Sequence, residues 1–148
     1  MTDILTEIHG RRFGLGHAGQ IVNNGIEISP PCVDCSITVA AEAGDARDIT
    51  IQLKDANGNA INYVEEVELV VFLDAAGAAY VVTGGSTGIA EGASGKLFTV
   101  TSKKMFRARS TAAGVIALTW TDTGTEAAYL GVKLPTGRTV ISAALTNA

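Results

Sequence analysis

The sequence predicts an all-β protein: a sandwich of about eight strands over residues 36–148, preceded by an extended N-terminal arm and linker over residues 1–35. Three observations carry this. Apolar residues recur with period two, as in Ile49, Ile51 and Leu53 against Asp48, Thr50, Gln52 and Lys54, the signature of a half-buried strand. Composition agrees, with 17 glycines, 5% aromatic residues and periodic segments rich in Thr, Val, Ile and Ala, which favours short strands joined by tight turns. Turn chemistry recurs between those segments, in Asp55-Ala56-Asn57-Gly58-Asn59 and Pro135-Thr136-Gly137-Arg138.

The 148 residues suit one domain with a real core. Taken in order, Thr2 to His9 permits either a turn or two of helix, with Ile4, Leu5 and Ile8 on one side and Gly10 as the stop, or an extended arm. From His9 to Gly25 five glycines separate Phe13, Leu15, Ile21 and Val22, too many breaks for a helix and too many apolar groups for a free tail. An arm of this composition needs a partner surface. Pro30 and Pro31 then stiffen a linker that runs through Cys32-Val33-Asp34-Cys35.

The expected sandwich strands are 37–41, 49–54, 67–73, 79–83, 97–101, 115–121, 127–134 and 138–145. The segment 48–73 reads as two strands with a reversal at Asp55–Asn59 between them. The second of these strands starts wet, with Glu66 and Glu68 outward, and ends largely buried, with Val70 and Phe72 in their place. The Gly/Ser-rich run between Thr83 and Lys96 reads as a surface loop, and no internal repeat is visible.

Several local patterns fail for want of context. Gly14-Leu15-Gly16-His17-Ala18-Gly19 spells the dinucleotide-binding glycine pattern, but that chemistry needs a strand before and a helix after, and Gln20 to Gly25 cannot open a long helix. Gly92 to Lys96 echoes a phosphate loop, yet Ala90 stands at the first glycine position and Leu97 where a hydroxyl should follow the lysine. Cys32 and Cys35 have the spacing of half a zinc site, with only His9 and His17 to complete it. A redox pair would precede a helix, whereas Ile37 begins a strand. The expectation is two reduced thiols in a linker, dispensable for folding, with no metal and no cofactor. No arrangement of nucleophile, histidine and acid suggests an enzyme.

Charge bounds the partners. A net charge of −4 without a clustered basic surface argues against nucleic acid. No apolar run approaches the ~18 residues of a membrane span, and Asp3 and Glu7 spoil a secretory leader, so synthesis in the cytoplasm is expected. Nine of the fifteen acids fall between Asp34 and Asp74, while Lys96, Lys103, Lys104, Arg107 and Arg109 share an acid-free stretch, a pattern compatible with a solvated face or with patches that set register between subunits.

The phrase ITIQLKDANGNAI, with its following strand and the closing LPTGRTVIS, resembles immunoglobulin-like modules of tailed-bacteriophage structural proteins. The opening IHGRRFGLGHAGQIVNNGIEI resembles the N-terminal segment of small phage head decoration, or cement, proteins. The resemblance implies an immunoglobulin-like sandwich that binds the major capsid protein on the outside of the virion and stabilises the shell. It also implies a homodimer or homotrimer and an arm from Ile4 to Leu15 that contacts the capsid. Within that arm Ile4, Leu5, Ile8, Phe13 and Leu15 would be apolar anchors, and Arg11 and Arg12 fork-shaped donors. The alternative is a tail-associated or adhesin-like module that recognises glycan or host protein through its loops.

Overall fold

The computed structural model describes the backbone of residues 4–8, 11–15, 21–23 and 26–28, and residues 30–148 throughout. The chain forms two compact units, 1–31 and 32–148. In the first, β1 (Ile4–Ile8), β2 (Arg11–Leu15), β3 (Ile21–Asn23) and β4 (Ile26–Ile28) make an antiparallel meander in sequence order. Residues 4–8 are therefore extended rather than helical, and they are paired as a strand where the sequence suggested at most an extended arm. Thr2, His9 and the Gly16–Gly19 part of the glycine pattern lie outside the described residues.

The second unit is a two-sheet sandwich of nine strands. They are β5 (Asp34–Val39), β6 (Ala46–Lys54), β7 (Glu66–Phe72), β8 (Gly88–Glu91), β9 (Lys96–Thr101), β10 (Met105–Arg109), β11 (Val115–Thr121), β12 (Tyr129–Lys133) and β13 (Thr139–Ala144). One sheet has the order β5-β6-β11-β8, the other β13-β12-β7-β10-β9, and every pairing is antiparallel. This is the spatial order of a variable-type immunoglobulin sandwich, A-B-E-D against G-F-C-C′-C″. The three strands between β7 and β11 fill the D, C″ and C′ places in turn, the reverse of the usual threading. Alternation supplies the core: Ile49, Ile51 and Leu53 of β6 and Ile116, Leu118 and Trp120 of β11 meet Leu69 and Val71 of β7, Phe106 of β10 and Leu130 and Val132 of β12.

Three sequence expectations change. Asp55–Asn59 does reverse the chain, since Asp55 N–H donates to Asn59 O at 2.9 Å and the Asp55 carboxylate accepts from the Asn57 and Asn59 amides at 2.8 and 3.0 Å. Yet β6 and β7 are not partners: after a single bridge, Lys54 to Ala60, the chain crosses to the other sheet. Residues 79–83 make only the Phe72–Tyr80 bridge before Gly84 and Gly85, both at positive φ, turn the chain away. Conversely β8 lies within the run read as a loop, and β10 was hidden in the basic stretch.

One turn recurs. At Asp55–Gly58, Asp74–Gly77, Thr111–Gly114 and Leu134–Gly137 the glycine amide donates to the carbonyl three residues back, at 3.1, 3.2, 2.9 and 2.9 Å, with glycine φ of 80°, 68°, 73° and 89°. The left-handed glycine ends a type I turn as a bulge, a geometry that joins strands with their natural twist. Asp74 repeats the Asp55 arrangement, its carboxylate accepting from the Ala76 and Ala78 amides.

Candidate functional site

Backbone register organises the N-terminal unit. The pairings Ile4–Leu15, Leu15–Ile21 and Ile21–Ile28 align four apolar residues in one row across all four strands. The next row on that face is Thr6, Phe13, Asn23 and Ile26, followed by the Ile8–Arg11 pair. The opposite face carries Leu5, Gly14, Val22 and Glu27, with Glu7 opposite Arg12. Of the residues singled out from sequence, Ile4, Ile8, Arg11, Phe13 and Leu15 thus share the apolar face, joined by Ile21, Ile26 and Ile28. Leu5 and Arg12 fall on the other.

A second feature lies on the outward face of the five-stranded sheet. Cross-strand pairing puts Lys133, Glu68, Arg107 and Phe98 in one row over β12, β7, β10 and β9, and Gly131, Val70 and Met105 in the next. There Val70, Phe72, Tyr80 and Met105 line a groove of about 200 Å³, rimmed by Glu68, Lys133 and Thr139. Tyr80 is 54% and Phe98 49% exposed. Gly131 is required under this face, because a Cβ there would stand 2.3 Å from Phe72 Cε2. The sequence signal was the replacement of outward Glu66 and Glu68 by Val70 and Phe72 along β7. The strand does end largely buried, with Val70 8% exposed and Phe72 half-buried, although both stand on the outer side of the sheet.

A convergence of charged groups that the sequence did not reveal clamps the loop 83–88. Glu126 accepts from Thr83 N–H and Oγ1–H, both at 2.6 Å, and from the Gly84 and Gly85 amides at 3.1 and 2.9 Å. Burial alone would raise the Glu126 pKa, but these donors outweigh it and hold the carboxyl below its ordinary value. Asp122 accepts from the Ser86 and Gly124 amides, and Lys103 Nζ donates to Gly85 O at 2.9 Å and Ser86 O at 2.8 Å. Apart from the Thr83 hydroxyl, these three side chains bond to backbone groups, so the cluster fixes a loop.

Cys32 and Cys35 are core residues, 2% and 6% exposed and unpaired, which corrects their placement in a linker. Asp34, between them, already belongs to β5. Burial, reinforced by the Asp34 charge, pushes the Cys35 thiol up to about 12; burial and then the Glu65 charge raise Cys32. Both are protonated thiols that fill space, neither nucleophiles nor ready ligands. Among the described residues no three His, Cys, Asp or Glu side chains converge as a metal site would require. Compared with known protein families, curated proteins and solved structures, the chain has no significant match.

Proposed function

We propose that this chain is a non-enzymatic structural protein of a tailed phage, which binds the major capsid protein on the outside of the shell and reinforces it. The observation that carries the reading is the register of the N-terminal unit, which gathers Ile4, Ile8, Phe13, Leu15, Ile21, Ile26 and Ile28 on one face of a single-layer sheet. One layer has no interior, and 31 residues fall below the ~40 at which chains usually fold unaided. Such a face is stable only when covered, and the shell protein is the cover proposed. The resemblance of this segment to cement-protein N-termini supports the same assignment. Arg11, on the edge of that face, and Arg12, on the other, supply donors for acidic or carbonyl groups of the shell.

Co-sedimentation of the full chain with empty phage shells tests this. The full chain should pellet with shells to a fixed stoichiometry, and Arg11→Ala with Arg12→Ala should weaken binding about tenfold, since two charge-assisted contacts are lost, with the sandwich melting unchanged. A chain that stays in the supernatant at saturating shell concentration would refute the proposal.

A further inference from the structure

We infer that the outward face of the five-stranded sheet is an isologous interface between two copies of this chain. The surface is defined by where the chain spends its aromatic residues. It has one Trp, three Tyr and four Phe, eight in all. Phe72 is paired with Tyr129, Tyr80 lines the groove beside Phe72, and Phe98 is paired with Arg107, so four of the eight belong to this outer face. In the core cluster the buried aromatics are Phe106 and Trp120. Aromatics, methionine and arginine, here Met105, Arg107 and Arg109, are the residues enriched where proteins meet one another.

The charges choose the occupant. Along one row the signs run Lys133, Glu68, Arg107; along the next, Glu66, Arg109, Lys96. Arg107 reaches across to Glu66 at 2.9 Å, and among the described residues Glu68, Arg109 and Lys133 have no ion-pair partner. An acidic or basic partner would fit a rim of one sign. A rim of both signs around an apolar centre is complementary to itself, which is what a two-fold interface demands, since each copy presents the same patch. Five strands at roughly 4.8 Å and six residues at roughly 3.3 Å give a face of about 450–500 Å² per copy. Two such faces reach the ~1,000 Å² at which specific association begins, so a reversible dimer in the micromolar range is expected. On a repeating lattice, where neighbours are held close, that affinity suffices to link adjacent copies.

Sedimentation velocity on the full chain from about 2 to 200 μM reads this directly. The wild type should pass from monomer to dimer across that range, and Met105→Glu and Phe98→Glu should each shift the midpoint upward at least tenfold. Thr50→Glu, on the outward face of the other sheet, should leave it in place. Phe98 is at a half-exposed edge position, so its variant keeps the test valid if Met105→Glu fails to fold. A wild type that remains monomeric at 200 μM, assembles beyond two copies, or dimerises unaltered by both substitutions would overturn the inference.

Discussion

Burial decides what Cys32 and Cys35 do. Both belong to the core cluster with Leu53 and Ile61, so replacing either with Ser puts a hydroxyl where a small apolar group stood, at a cost of roughly 1–3 kcal/mol. Urea denaturation of each variant should show that loss, and the native thiols should resist alkylation until the protein unfolds. Because the Cys35 thiol is raised from an ordinary 9.0 to about 12, the folded state holds its proton where the unfolded chain releases it. Its contribution is complete below pH 9 and is lost as pH rises toward 12. Glu126 has the opposite sign: its carboxyl is lowered, so its contribution is present above the ordinary 4.5 and disappears as pH falls through the folded value. Glu126→Gln places an amide group among donors, should cost roughly 2 kcal/mol at neutral pH, and should flatten the acid limb of a melting-temperature profile. Neither role was legible in the sequence. Cys32-Val33-Asp34-Cys35 follows two prolines and has no alternation of its own, and Glu126 meets Thr83 only because the fold closes a separation of 43 residues.

At the level of elements, alternation identified the strands that bury one face with large aliphatic residues. β6, β7 and β11 were all visible for that reason, and Ile116, Leu118 and Trp120 are fully buried as their spacing implied. The strands that escaped lack that signal. β8 has Ile89 as its one large apolar residue, and β10 alternates Phe106 and Ala108 with Met105, Arg107 and Arg109, which looks like a solvated basic run until its partners are known. Pairing escaped too, because a reversal at Asp55 is local whereas the crossing from β6 to β7 is decided by which sheet has room. The turn itself was readable from chemistry. Asp55 is 6% exposed and its carboxylate satisfies two backbone amides, so Asp55→Ala should cost roughly 2 kcal/mol through unpaired donors, while Asp74→Ala, in an exposed copy of the same turn, should cost well under 1. Chemical denaturation of the two variants side by side checks the contrast.

For the whole molecule, the division of labour follows from its two units. The sandwich has its own core and a hydrogen-bond network through the Asn147 side-chain amide that secures even its last residues: Asn147 Nδ2 donates to Asp45 O and Asp122 O, and Asn147 Oδ1 accepts from Arg47 Nε. In the proposal it is the stable part that presents surfaces. The N-terminal sheet, with seven large apolar residues on one face, is the part that the proposal completes against the shell. Electron microscopy of phage shells incubated with the full chain, and with Phe13→Asp plus Leu15→Asp, tests that division most directly. The proposal predicts added density at lattice repeats on the outer surface with the native chain and bare shells with the variant, although its sandwich melts as before. Bare shells in both cases, or full occupancy by the variant, would contradict it.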